Sequence, residues 1–268
     1  MYSKKIIVCY LFTGFDKITS FNQFIRHYKK FNSGIKHELL ICYKLLKKKK
    51  IDILEKKIKD INHHFFIDPI DSNDWDFGSY KRVAQKYNKD VILFMNSHSY
   101  PITNFWLKKF IKHFKNKTII ASSGSFESIT QQVRFKKPFN FISYFKKKIK
   151  GKRSFKDFPN PHLNTSSFMI NTGDFLKYVK NKSFSNKYET WKIESGFNSL
   201  TNFFKRRNFK LFVVNSDGKK FKEHEWMLSE TYHYKKQSKS IISDKHSRKY
   251  LQLTTYERKK SQFNVWGV

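Results

Sequence analysis

Four short stretches of this 268-residue chain combine polar and charged residues in patterns that could do chemistry. The first is DWDFGSY at 74–80. Here Asp76 could hold a ribose or a base, and Gly78 could let a phosphate approach the backbone at the start of a helix. The alternative is an ordinary acidic first turn, which the helix dipole favours.

The second stretch, Asn96-Ser97-His98-Ser99, follows the clearest strand-like segment of the chain. Loops at the carboxyl ends of parallel strands often hold metal or diphosphate ligands. His98 could therefore ligate a divalent ion or donate a hydrogen bond to a phosphate. The alternative is a polar turn before Pro101.

The third and fourth stretches lie in the second half of the chain. In WKIESGFNSLT at 191–201, Glu194 is expected at the start of a helix, where its carboxylate could take a proton from an acceptor hydroxyl. The alternative is a negative charge that complements the helix dipole. The stretch FPNPHLNT at 158–165 is a loop stiffened by proline, which could bind an acceptor sugar or only connect two elements.

The elements that must position these stretches alternate between strand-like and helix-like segments. A continuous apolar run predicts a buried strand over 5–12, and further strands are predicted over 38–45, 64–67, 90–95, 118–121, 168–170 and 210–214. Helical spacing predicts helices over 20–31 (with Ser20 as N-cap), 47–60, 78–87, 106–114, 174–179 and 194–207. This alternation predicts an α/β fold with a mainly parallel sheet flanked by helices, a less regular C-terminal region and ligands at the carboxyl ends of strands.

The net charge of +34 invites a nucleic-acid-binding interpretation, which the composition weakens. Only 8 of the 55 basic residues are Arg, and Arg is the side chain that reads bases and phosphates with two parallel hydrogen bonds. Diffuse Lys suits an anionic membrane surface or phosphate-bearing substrates better. We therefore expect no nucleic-acid partner.

The remaining composition limits the class of protein further. Cys9 and Cys42 are too few for a disulfide scaffold or a Cys-based zinc site. No apolar run approaches the roughly 20 residues that span a bilayer, and no targeting segment is evident. Without internal repeats or Gly/Ser linkers, residues 1–268 are expected to form one cytoplasmic domain.

Taken in order, the four stretches resemble bacterial GT-A glycosyltransferases, in particular family-two enzymes of surface and capsular polysaccharide synthesis. The 74–80 stretch looks like a "D-x-G-x-Y" turn that precedes a strand ending in "L-N-S-x-S/D". The 158–165 stretch resembles "FPNxHLRTN", and Glu194-Ser195-Gly196 with Ser199-Leu200-Thr201 is similar to "ESGxxSLT". Further short likenesses, which carry the resemblance over nearly the whole chain, occur at 215–218, 226, 244–250 and 266–267.

The resemblance implies a nucleotide-sugar donor, a glycan or lipid-linked acceptor, inversion at the anomeric carbon and Glu194 as catalytic base. Residues 1–125 would form the nucleotide-sugar-binding half and residues 126–268 the acceptor-binding half. The implied nucleotide-sugar contacts are Asp76, Gly78, Tyr80, Asn96, Ser97 and His98. The implied acceptor contacts are His162, Asn164 and Thr165.

The chain departs from this family at its metal motif. The usual "D-x-D" loop reads Asn96-Ser97-His98 and has no carboxylate, whereas Mn²⁺ and Mg²⁺ prefer oxygen ligands. His98 could hold Mn²⁺ together with His233. Alternatively, a Lys-rich pocket could neutralise the diphosphate without a metal.

A basic segment at 136–153 interleaves Phe139, Phe141, Tyr144 and Phe145 with Lys. This pattern is typical of a helix on an anionic membrane surface, where a lipid-linked acceptor would be found, and the alternative is a solvated loop. A non-catalytic GT-A-like domain that binds sugar or membrane is the second functional hypothesis, because the carboxylate-free loop weakens the case for an enzyme.

Overall fold

The computed structural model describes residues 5–132 and 148–268. Its main sheet, within these residues, has eight strands, which are β1 (Ile6–Thr13), β2 (Glu38–Lys44), β3 (His64–Ile67), β4 (Val91–Met95), β6 (Thr118–Ala121), β9 (Ser167–Asn171), β10 (Lys210–Val214) and β11 (Lys220–Phe221). Across the sheet they lie in the order β11-β10-β6-β9-β4-β1-β2-β3. Two small two-stranded sheets pair β5 (Tyr100–Pro101) with β12 (Ile242–Ser243) and β7 (Gly124–Ser125) with β8 (His162–Leu163).

Six strands of the main sheet run in one direction, and only β9 and β11 run against them. The helices are α1 (Ile18–Lys30), α2 (Lys48–Lys57), α3 (Trp75–Lys86), α4 (Trp106–Ile111), α5 (Ile129–Gln132), α6 (Thr172–Val179), α7 (Lys187–Ser195), α8 (Leu200–Lys205), α9 (Lys245–Leu251) and α10 (Thr255–Trp266), with a 3₁₀ helix at Glu223–Ser229. The predicted α/β fold with a mainly parallel, helix-flanked sheet is confirmed.

The centre of the sheet is buried on both faces, as strand β1 shows, whereas the edge strand β3 is largely exposed. The side chains of β1 alternate between two hydrophobic clusters, because successive residues of a strand point to opposite faces. Ile7, Cys9 and Leu11 belong to one cluster, whereas Val8 and Tyr10 belong to the other. A continuous apolar run is therefore what this position requires.

The start of α1 differs from the prediction. The helix begins at Ile18, and Lys17 is its N-cap without a side-chain capping bond, so Ser20 is not the cap. The reason lies in the preceding loop, where the Asp16 carboxylate accepts hydrogen bonds from the N–H and the hydroxyl of Thr13. The closed loop lets the helix start two residues after Asp16.

The predicted helix over 194–207 is two helices. Helix α7 is capped by Asn186 and ends before Gly196, whose backbone is extended (φ −73°, ψ 174°). Ser199 then caps α8 by accepting a hydrogen bond from the Asn202 N–H. The consequence is that Glu194 lies in the last turn of a helix and not in the first.

The C-terminal region, expected to be irregular, contains α9 and α10 and is anchored to the core. Trp266 is buried, and its indole N–H donates to the Tyr232 carbonyl at 2.9 Å. The aromatic part of the proposed membrane segment, 139–145, lies outside the described residues. In the part of the chain that is described, no helix has the length and apolar character needed to cross a membrane.

Candidate active-site cleft

A cleft of about 180 Å³ lies beside the carboxyl ends of the central strands. Its lining comes from both halves of the chain: Trp75, Asp76, Phe77, Asn96, Thr165, Ser166, Lys187, Thr190, Trp191, Glu194 and His246. Typical ligand pockets measure roughly 300–1,000 Å³. The cleft therefore accommodates a part of a large ligand, such as one sugar ring with a neighbouring group.

Glu194 is oriented by the loop before β9. Its Oε1 accepts hydrogen bonds from the N–H of Thr165 at 2.9 Å and from the hydroxyl of the same residue at 2.8 Å. Its Oε2 has no hydrogen-bond partner among the described residues. Because the C-terminal turn of a helix carries partial negative charge, the helix dipole does not stabilise a carboxylate here. A fixed carboxylate with one free oxygen in a cleft has the geometry of a general base.

Asp76 faces the same cleft from the first turn of α3, a position that the helix dipole also favours. No side chain or backbone group among the described residues donates a hydrogen bond to its carboxylate. Burial raises the pKa of Asp76 to about 6, with the charges of Asp16 and Glu194 adding to the rise and Lys44 opposing it. A desolvated carboxylate without donors is suited to bind the hydroxyl groups of a ligand.

Gly78 was expected to let a phosphate approach the backbone, but its missing side chain leaves room for the Asp74 carboxylate instead. The Lys44 ammonium lies 2.6 Å from Asp74, and Arg82 bridges Asp74 and the buried Asp68. The Asp74 carboxylate folds over the first turn of α3, so that a Cβ at Gly78 would lie 1.8 Å from its Oδ2. The space above Gly78 thus holds a carboxylate of the protein and is not open to a phosphate.

Tyr80, an expected nucleotide contact, is fully buried in the core. Its ring packs against Phe94 with centroids 4.5 Å apart.

Trp75 lines the cleft, and its backbone lies in the left-handed region (φ 57°), which is uncommon for a bulky residue. The Lys44 ammonium donates to the Trp75 carbonyl and helps to hold this conformation. Such backbone strain is often found at ligand sites.

The Asn96-Ser97-His98 loop is closed by its own hydrogen bonds. Asn96 Oδ1 accepts from the His98 N–H at 3.2 Å and from the Ser99 hydroxyl at 2.8 Å. The carbonyl of Ser97 accepts from the buried Tyr10 hydroxyl at 2.9 Å. The side-chain oxygen that a metal would use is therefore already engaged in a turn.

His98 contacts a carboxylate from another loop. Its Nε2 lies 3.3 Å from Asp16 Oδ1. Burial lowers the pKa of His98; Asp16 opposes this shift, and the positive charges of Lys245 and Arg248 add to it. Positive side chains of α9 therefore lie close enough to act on this loop.

His98 and His233, which were expected to bind a metal, do not form a preassembled metal site. The His233 ring is stacked between Tyr232 and Tyr250, its Nδ1 lies 2.8 Å from the Ser261 hydroxyl, and burial lowers its pKa to about 4. Within residues 5–132 and 148–268, no group of three or more His, Cys, Asp or Glu is arranged to hold a metal ion. We assign no reaction step to a metal at His98 and His233.

The predicted acceptor residues are only partly at the cleft. Thr165 lines it and holds Glu194. His162 is buried with Nδ1 2.8 Å from a backbone carbonyl, and burial lowers its pKa against the opposing charge of Glu194. Asn164 is buried too, and its amide donates to Ser123 at 2.9 Å. His162 and Asn164 thus bond within the protein and do not line the cleft.

The sequence motifs gave no site role to two carboxylates near the cleft. Asp244 caps α9 and accepts a hydrogen bond from the Ser166 hydroxyl at 2.8 Å, which ties the C-terminal region to the cleft. Burial, together with the charge of Glu194, raises the pKa of Glu127 to about 7. The D-x-x-S capping pattern at Asp244 was a readable signal, whereas the approach of Glu127 to Glu194 depends on tertiary folding.

No protein-family model matches the chain, and neither does any curated protein. Similar solved structures include the apo form of the glycosyltransferase GlyE of Streptococcus pneumoniae TIGR4, with TM-score 0.43 and 7% identity over 78% of this chain and 45% of GlyE. The chain thus spans less than half the length of GlyE. Mouse xyloside xylosyltransferase 1 gives TM-score 0.43 and 10% identity over 79% of this chain and 85% of that one. A nucleotidyl transferase from Methanothermobacter thermautotroptrophicus gives TM-score 0.41 and 11% identity over 76% and 99%. Similarity at this level does not assign an activity.

Proposed function

We propose that this chain is a glycosyltransferase that moves a sugar from a nucleotide-sugar donor to a hydroxyl of a glycan or lipid-linked acceptor. The observation that carries the proposal is Glu194. Its carboxylate lies in a cleft, is oriented by Thr165 and keeps one oxygen free. The last turn of a helix is an unfavourable place for a negative charge, and the free oxygen faces a cleft, which supports a role for this carboxylate in proton transfer.

The reaction is a single displacement. The acceptor hydroxyl attacks the anomeric carbon from the face opposite the nucleoside diphosphate, and its proton passes to Glu194 Oε2 as the new C–O bond forms. The bond between the anomeric carbon and the diphosphate oxygen breaks, and the electron pair leaves with the diphosphate. This sequence inverts the anomeric configuration, and holding the two sugars together supplies much of the rate.

The other cleft residues divide between the two substrates. Asp76, which lacks protein donors, accepts hydrogen bonds from hydroxyl groups of the donor. The indoles of Trp75 and Trp191 line the cleft and offer flat apolar surfaces to the CH faces of sugar rings. The order of the sequence motifs supports a GT-A enzyme of surface-polysaccharide synthesis. The basic aromatic segment at 136–153 supports a place at an anionic membrane surface.

The test is a comparison of Glu194→Gln with Glu189→Gln. Glu189 lies on the same helix and pairs with Lys192 at 2.7 Å, and it does not line the cleft. We expect Glu194→Gln to lower transfer to p-nitrophenyl glycosides by about 10²–10⁴-fold, with donor affinity unchanged, and Glu189→Gln to behave as the wild type. Equal losses of transfer and donor binding would reject the base assignment.

A non-catalytic sugar- or membrane-binding domain is the second candidate, favoured by the self-bonded Asn96 loop without a carboxylate. It predicts donor binding with no release of nucleoside diphosphate under any condition. Flotation with anionic phospholipid vesicles tests the membrane contact. Flotation that survives deletion of residues 139–150 would reject a membrane role for that segment.

A further inference from the structure

We infer that the cleft holds the donor's diphosphate with the side chains of Lys187 and His246 and needs no divalent metal. This inference rests on the glycosyltransferase function proposed above and identifies the groups that bind the leaving group. Its basis is the chemistry of the residues that are present around the cleft.

The loop Asn96-Ser97-His98 occupies the place of the usual metal-binding motif, and its polar groups already bond to other groups of the protein. Asn96 Oδ1 already accepts two hydrogen bonds, and the loop offers no carboxylate. The Nε2 atom of His98 faces Asp16 at 3.3 Å. The loop itself offers a hard divalent ion only the Asn96 amide oxygen, at the cost of its turn, and the His98 ring, which is a poor ligand set for Mn²⁺ or Mg²⁺.

Two basic side chains that line the cleft are free for a ligand. Lys187 from α7 and His246 from α9 are exposed and make no ion pair with any carboxylate among the described residues. The Lys187 ammonium lies 5.2 Å from the ring centroid of Trp191, which also lines the cleft. The charge of Lys44, in contrast, is buried and satisfied by Asp74 at 2.6 Å.

The neighbouring charges fit this arrangement. Arg248 donates to the His98 carbonyl at 3.0 Å, and Lys245 precedes His246 on the same helix, so α9 brings positive charge to the loop after β4. Asp76 on α3 and Glu194, seven residues after Lys187 on α7, would repel a diphosphate and attract hydroxyl groups. Positive charge in such a place stabilises the charge that develops on the departing diphosphate.

The experiment uses isothermal titration of the full chain with UDP, GDP, CDP, ADP and dTDP separately, in chelator and with Mn²⁺ or Mg²⁺. We expect at least one nucleotide to bind in chelator with an affinity within about threefold of that with metal. Removing two charge-assisted contacts in the double variant Lys187→Ala, His246→Ala is expected to weaken binding at least about tenfold. Lys249→Ala, an exposed residue of α9 that does not line the cleft, is the matched control and should change little.

Each other result has a distinct meaning. Binding that requires Mn²⁺ or Mg²⁺ overturns the inference and leaves the glycosyltransferase proposal standing. Binding in chelator that the double variant does not weaken overturns the assignment to Lys187 and His246. Absence of binding by every nucleotide, with and without metal, overturns the proposed function itself.

Discussion

Asp76 is expected to destabilise the unliganded protein while it serves the ligand. Its pKa rises from 3.8 to about 6 on folding, chiefly because of burial. The folded state therefore binds more protons than the unfolded state between about pH 4 and pH 6. The resulting decrease in the free energy of unfolding is absent below pH 4, grows as the pH rises and is complete above pH 6. Asp76→Asn removes the charge with little change in shape, so it should stabilise the protein above pH 6.

The size of the effect follows from the pKa shift. A pKa that rises from 3.8 to about 6, at about 1.36 kcal/mol per pKa unit, gives an upper limit of about 3 kcal/mol for the loss of stability. Because the cleft leaves the carboxylate partly in contact with water, we expect about 1–2 kcal/mol at pH 7.5. A chain of this size gains roughly 2–4 °C in Tm per kcal/mol. The variant should therefore melt several degrees above the wild type.

Scanning calorimetry without ligand, from pH 4 to pH 8, measures this directly. The difference in Tm should be close to zero at pH 4 and largest above pH 6, and donor affinity should fall in the same variant. Asp71→Asn, at an exposed position, is the control and should show no such trend. A destabilised variant, or a gain that is the same at every pH, would refute the reasoning about Asp76.

Three further predictions concern the elements around the cleft. Gly78→Ala should lower the free energy of unfolding in urea by about 1–3 kcal/mol, since the new Cβ meets the Asp74 carboxylate; an unchanged midpoint contradicts this. Trp191→Ala should weaken sugar binding about tenfold, whereas Trp191→Phe keeps most of it; equal affinities for both variants contradict stacking. Thr165→Val should lower transfer about tenfold at constant donor affinity, because Glu194 loses one of its two hydrogen bonds; unchanged turnover contradicts the positioning role.

The local apolar pattern was sufficient to predict seven of the eight described strands of the main sheet, whereas the two-residue strand β11 was not expected. The segments expected over 38–45, 64–67, 118–121 and 210–214 match β2, β3, β6 and β10 to within one residue. A buried strand needs only a short apolar run between polar ends, and that signal is local. Helix ends were predicted less well, because they depend on caps such as Asn186 and Ser199 that compete with helical spacing.

The site was only partly predictable for a different reason. Glu194, Asp76 and Asn96 were expected at the cleft from their motifs, and the structure places all three on its lining. The bond from Thr165 to Glu194 and the contact of His98 with Asp16 join residues 29 and 82 positions apart. Such pairs are determined by the packing of the sheet and its loops, which no short motif encodes.

The most direct test of the central claim is a thermal-shift panel of UDP-, GDP-, CDP-, ADP- and dTDP-linked sugars against the wild type, Glu194→Gln and Asp76→Asn. A ligand at about 100 times its Kd adds roughly 2.7 kcal/mol of stability, which is readily measured. The account predicts that one nucleotide sugar stabilises the wild type and Glu194→Gln equally and Asp76→Asn much less. No shift with any donor at high concentration, or a shift that is equal in all three proteins, would contradict it.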